Sequence, residues 1–264
     1  MSISETLEEQ KGIFPKEIYM GEFNLVYGTE DFLDEKIIEQ YNITAKRIYL
    51  EHGHIEEWTT LEEFSKNSEY NKSNSLYIFI TDLTGTPIGG LKSYFNNSLS
   101  KFGEDELSNN PVFDVHKEYG SIHYPDHVNS TQCKNIVEIG RLFMDNKSII
   151  ENFPKKTMKV LPTIPILTLC KILQMQRKEF ALGIIEKKGA LRLVQKIENI
   201  QENHGDTKSS IHIIDDKGID LTKVPSFLYP YFRNNKGVPF YIDINQYYKN
   251  VMSSEYVESF FKII

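Results

Sequence analysis

SLYIFITDLTGTPIGGLKSYF, residues 75–95, decides the architecture. Two runs rich in β-branched and aromatic side chains flank the turn LTGTP, so the stretch predicts an antiparallel hairpin with strands near 75–82 and 87–95. Gly89 and Gly90 sit inside the second run, where glycines mark a bulge or a close approach of backbones. They are no phosphate loop, because GGLK does not open a helix.

Upstream, EIYMGEFNLVY (residues 17–27) reads as a first strand that stops at Gly28. Thr29 then predicts an N-cap, and Phe32, Ile37, Ile38 and Tyr41 fall near helical spacing over about 30–41. A short helix is expected at Thr60–Lys66. Downstream, residues 96–135 turn to Asn, Ser, Gly, Asp and Glu with scattered aromatics and no period. Structureless segments longer than about 12–15 residues are usually functional or disordered, so this one reads as an insertion, a lid or a mobile excursion. IVEIGRLFM (136–144) is the next strand, Pro165 starts the firmest helix, and FALGIIE (180–186) is a buried strand. A helix through Ala190, Leu191, Val194 and Ile197, strands near 210–215 and 238–243 and a helix near 245–262 complete the chain. Asp215, Asp216 and Gly218 read as a turn. Strands and helices alternate in the second half, which predicts an α/β domain built on a mixed sheet. One domain over 1–264 is expected, with an insertion at about 96–135 and a C-terminal extension at about 206–264.

Composition narrows the function. With 37 acidic against 30 basic residues the net charge is −7, opposite in sign to a nonspecific nucleic-acid binder. A chain of 264 residues with 40% hydrophobic content buries a full core without staples. Two cysteines form no disulfide framework or zinc motif, and the acidic N-terminus is unlike a signal peptide. A cytoplasmic protein without a membrane span is expected, with the apolar stretch from Val160 read as the start of a buried helix.

Within IVEIGRLFM, Glu138 and Arg141 are polar residues in an apolar run, with Gly140 between them. Three positions apart, a regular strand sends them to opposite faces, and a β-bulge at Gly140 would re-aim one of them. A surface ion pair on an edge strand is the plainer reading. The hairpin followed by VEIGRLFM resembles the central strands of the GNAT-type acyltransferase superfamily. More narrowly, EIGRLFM is similar to the Glu-x-x-Arg strand of the acyl-homoserine-lactone synthases and the related N-acyl amino acid synthases.

That resemblance implies a central mixed, mostly antiparallel, splayed sheet flanked by helices. It implies transfer of a fatty acyl group from an acyl carrier protein or acyl-CoA thioester to the amine of an amino acid or similar small metabolite, with no bound cofactor and no metal. Glu138 would match the residue that deprotonates or holds the amine, and Arg141 the motif arginine. Lys92 falls where these synthases usually carry Arg, and Lys cannot reproduce a planar bidentate contact. An acyl slot is sought among Leu142, Phe143, Met144, Phe180 and Leu182, each of which also suits plain core. Lys155, Lys156, Thr157 and Lys159 stand where a glycine-containing pyrophosphate loop is usual. They form a basic cluster suited to the phosphopantetheine of an acidic carrier protein, or else a solvated lysine run. A noncatalytic binding module of the same fold is the alternative, and it predicts a closed, filled sheet between 136–144 and 180–186. His123, Asp126 and His127 have metal-like spacing, but Pro125 breaks a helix there, so loop histidines are favoured. Cys133 with His116 or His123 could imitate a thiol and base, without a local signature.

Overall fold

The computed structural model describes residues 16–65, 74–106, 113, 115, 124–186, 189–198, 209–214, 226–228, 230–231, 237–252, 257, 258, 260 and 262. One sheet carries β1 (Lys16–Tyr19), β2 (Asn24–Thr29), β3 (Ser75–Thr81), β4 (Pro87–Phe95), β5 (Ile136–Met144), β6 (Phe180–Glu186), β7 (Ile211–Ile213) and β8 (Gly237–Asp243). Its eight strands run in the spatial order β1-β2-β3-β4-β5-β6-β8-β7. Among the described strands every neighbouring pair is antiparallel except β5 with β6. The described helices are α1 (Glu35–Glu51), α2 (Leu61–Ser65), α3 (Phe102–Glu106), α4 (Asp126–Asn129), α5 (Asn146–Asn152), α6 (Lys155–Val160), α7 (Ile164–Met175), α8 (Ala190–Glu198) and α9 (Ile244–Met252). Alternating strands and helices predict the mixed sheet, and its mostly antiparallel, open form flanked by helices is the one the resemblance implies.

The expected hairpin forms with strands 75–81 and 87–95, and every residue of both is buried. That is why the hairpin reads as unbroken apolar runs: both faces are covered. On one face Leu76, Ile78, Ile80, Val137, Ala181 and Phe240 meet α7, α8 and α9. On the other, α1 and α2 pack Tyr41, Ile48 and Phe64 onto Val26, Tyr77, Phe79 and Phe143. The rest of that second face is closed by the segment read as an excursion. Its Phe102, Phe113, Tyr124, Val128 and Cys133 are buried and join Ile136, Phe180, Leu182 and Tyr241 in a satellite core. At about 1.5–3 kcal/mol for each large apolar side chain removed from water, these contacts hold the described part of the segment, with its short helices α3 and α4, against the sheet.

Three boundaries differ from the sequence reading, one of them the end of α1, which runs to Glu51 where the spacing predicts a stop near 41. Residues 17–27 form the antiparallel pair β1–β2 and not one strand. The Thr29 side chain makes no cap bond; a 3-10 turn at Glu30–Phe32 and an extended Leu33 intervene, and Asp34 caps α1 by accepting from the Lys36 N–H. The run Lys155–Met175 is long and apolar enough to cross a membrane by length and composition. It is a core element instead: α7 is buried from Ile164 through Cys170. Asp215, Asp216 and Gly218 lie outside the described residues.

Candidate functional site

The ladder between β5 and β6 pairs Ile136 with Phe180, Val137 with Ala181, Glu138 with Leu182 and Ile139 with Gly183, and there it stops. Beyond that rung β5 stays with β4 up to Met144 and β6 stays with β8 up to Glu186, so the two strands part like the arms of a V. Gly183 closes the crotch: a Cβ there would lie 2.5 Å from the Ile139 carbonyl oxygen. On β5 the pairing with β4 shifts from Gly140–Lys92 to Phe143–Gly90, leaving Leu91 opposite both Arg141 and Leu142. This is a β-bulge one residue beyond Gly140, and Arg141 is its left-handed residue, with φ of 50°. Such a conformation is uncommon without glycine and needs support. The Tyr41 hydroxyl donates to the Arg141 carbonyl (3.1 Å), Arg141 Nη1 donates to Asn42 Oδ1 (3.2 Å), and the guanidinium carbon lies 4.7 Å from the Phe64 ring centre.

A cavity of about 80 Å³ occupies the V. Leu91, Ile139, Leu142, Ile166, Leu169 and Val194 supply apolar wall, and Tyr49, His54, Arg141, Glu186 and Tyr231 supply a polar end. Helix α1 sets that end through a Schellman turn: the Gly53 N–H donates to the Leu50 carbonyl (2.9 Å) and the His54 N–H to the Tyr49 carbonyl (2.8 Å). Gly53, at φ of 63°, is the left-handed residue that turn requires. Burial raises the Tyr49 hydroxyl to about 12, with Arg141 drawing it down and Glu186 pushing it up. Sequence reasoning missed His54, Glu186, Tyr49 and Tyr231. Gly53 was a visible helix stop, but which strand end its neighbour would meet is decided only by tertiary packing.

Glu138 is 4% exposed and accepts the Val115 N–H at 3.1 Å. It lies on a central strand, on the last full rungs below the split, so it is no surface ion pair on an edge. Lys92 is fully buried: its ammonium donates to the Tyr77 hydroxyl at 2.5 Å and to Glu30 Oε2 at 3.1 Å. Of the five slot candidates, Leu142 lines the cavity. Phe143 packs on Tyr41 on the other face, Met144 against Gly89, and Phe180 and Leu182 in the satellite core. Lys155, Lys156 and Lys159 are exposed on α6, which leads into the cavity-lining α7, while Thr157 donates to Glu22. Beyond Asn42, an open recess of about 390 Å³ is lined by Glu30, Asp31, Glu35 and Glu39. His127 packs between Phe180 and Tyr241, and burial raises the Cys133 thiol. His116 and His123 lie outside the described residues. Among the described residues no group of three or more His, Cys, Asp or Glu could hold a metal.

No family model matches the sequence, and no curated protein matches it. Among solved structures, the chain is similar to the AHL synthase LasI, with 10% identity, a TM-score of 0.48 and 85% of this chain covering 92% of that one. It is similar to BjaI, a CoA-dependent acyl-homoserine lactone synthase solved with SAM and isopentyl-CoA, with 12% identity, a TM-score of 0.47 and coverage of 83% and 80%. It is also similar to an acetyltransferase of the GNAT family from Staphylococcus aureus Mu50, with 10% identity, a TM-score of 0.44 and coverage of 84% and 99%.

Proposed function

We propose that this protein is an N-acyltransferase that moves a fatty acyl group from a carrier-protein or coenzyme A thioester to the amine of an amino acid or similar small metabolite. The observation that carries the reading is the split between β5 and β6. A parted sheet leaves backbone N–H and C=O groups along 140–144 and 184–186 without a ladder partner across the gap. Such groups suit the amides of a pantetheine arm and the oxyanion that develops on a thioester carbonyl. The apolar wall receives the acyl chain, and Arg141 at the polar end offers a fixed cation to an acceptor carboxylate. Glu138, one rung below the end of the β5–β6 ladder, accepts the Val115 N–H and offers its carboxylate charge to hold the acceptor amine. The acidic recess beyond Asn42 places negative potential where an ammonium would approach. A noncatalytic module has no need of an open V, which is why the enzyme reading is preferred.

The donor divides by charge. Lys155, Lys156 and Lys159 on α6 suit an acidic carrier protein; free coenzyme A is the other donor. The test is a product screen. Purified protein is incubated with acyl-CoA and acyl-carrier-protein donors of several lengths and an amino-acid mixture, and organic extracts are read by mass spectrometry. N-acyl amino acids dependent on the protein are expected. Glu138→Gln should cut their formation about 100-fold, because the charge that holds the amine is lost, while melting within a few degrees of the wild type, because the amide oxygen still accepts the Val115 N–H. Absence of any N-acyl product across the screen overturns the reading.

A further inference from the structure

We infer that His54, steadied by Glu186, is the base that takes the proton from the attacking amine, a role that rests on the acyl-transfer reading above. His54 is 7% exposed and lines the polar end of the cavity, and its Nε2 lies 3.8 Å from Glu186 Oε1. Its backbone is fixed by the Schellman turn of α1, and its ring stands edge-on to Tyr49 (5.5 Å) and Tyr231 (5.0 Å). Glu186 is held too. A Cβ on Gly189 would lie 2.5 Å from Glu186 Oε2, so the carboxylate packs directly on the residue that precedes α8, where a helix N-terminus favours negative charge. An imidazole lining a cavity, with a carboxylate in ion-pair range to stabilise the imidazolium it becomes, is an arrangement that suits a general base.

The titratable groups facing His54 are Tyr49 and His52 from α1, Glu186 from β6, Arg141 from β5 and Tyr231. Burial raises the hydroxyls of Tyr49 and Tyr231, so both stay neutral near neutral pH. Of the side-chain types at this end, imidazole is the one suited to exchange a proton near neutral pH. In the step, the free amine attacks the thioester carbon and the C–N bond forms while its N–H proton passes to neutral imidazole. The tetrahedral adduct collapses, the C–S bond breaks, and the imidazolium returns the proton to the departing thiolate. The products are an amide and a thiol, with nothing oxidised or reduced.

The test measures kcat/KM against pH with hexanoyl-CoA and an amino-acid mixture for the wild type, His54→Asn and Glu186→Gln, with melting temperatures alongside. His54→Asn should lower the rate about 100-fold or more and make the acid limb shallower, from a two-proton slope to the one-proton slope set by the acceptor amine. Glu186→Gln, altered at a partly exposed carboxylate, should keep the fold and part of the rate, and move the acid limb to lower pH, since a carboxylate favours imidazolium. A His54→Asn rate within threefold of wild type overturns the role of His54. An acid limb unmoved in Glu186→Gln overturns the coupling, and does so even where His54→Asn does not fold. Wild-type protein that forms no N-acyl product with any donor overturns the acyl-transfer reading itself.

Discussion

Lys92 shows what a single residue can reveal and conceal. Its position inside the hairpin was legible, since GGLKSY places a charge in an apolar run. Its partner was not: Glu30 lies 62 positions away and reaches it only because β2, β3 and β4 are neighbours. The pair is lopsided, with the Lys92 side chain 0% exposed and that of Glu30 16%. Glu30→Gln removes the countercharge of a buried cation that still donates to Tyr77 and should cost about 3 kcal/mol, whereas Lys92→Met leaves a carboxylate that can still meet water and should cost less. The double variant should be more stable than Glu30→Gln alone. Chemical denaturation of the three variants checks the order, and a larger loss in Lys92→Met contradicts it. Arg141 was likewise legible as an oddity, but its left-handed φ was not, because no sequence rule assigns that conformation to arginine.

Among the elements, the strands at 136–144 and 180–186 were readable from β-branched and aromatic runs, and the bulge between Glu138 and Phe143 was expected within one residue. The parting of β5 from β6 is a property of pairing and left no period in either strand. Gly183 is its hinge point: Gly183→Ala forces a methyl against the Ile139 carbonyl and should cost about 1–3 kcal/mol, read as a lower melting temperature. Wild-type stability would show that the crotch is looser than described. At the far end of β5, Asp145 caps α5 by accepting from the Ser148 N–H, and it pairs with Arg47 of α1. Burial alone would raise this carboxyl, but the bonds from Ser148 and Arg47 outweigh it and hold it below its ordinary value. A carboxyl depressed on folding adds stability that is full above the unfolded pKa of about 3.9 and is lost as pH falls through the folded one. Asp145→Ala should therefore cost about 1–2 kcal/mol at pH 7. Its stability should also fall less steeply than the wild type's below about pH 4. Parallel pH–stability curves contradict the assignment.

At the scale of the molecule, alternation of strand and helix gave the mixed sheet, while the aromatics of 96–135 concealed a second core because burial there follows no helical or strand period. His54 and Glu186 stayed hidden for a related reason: a helix end and a strand end are ordinary apart and become a site only when the fold brings them to one mouth. The central claim is that the V between β5 and β6 receives an acyl thioester. Its most direct test is a titration of isotope-labelled protein with S-hexyl-coenzyme A, an unreactive thioether, followed by backbone amide NMR. The account predicts saturable shifts at Gly140, Leu142, Ile184 and Ile185, along the two arms of the V. Saturation that leaves those amides unmoved, or no binding at millimolar analogue, would contradict it.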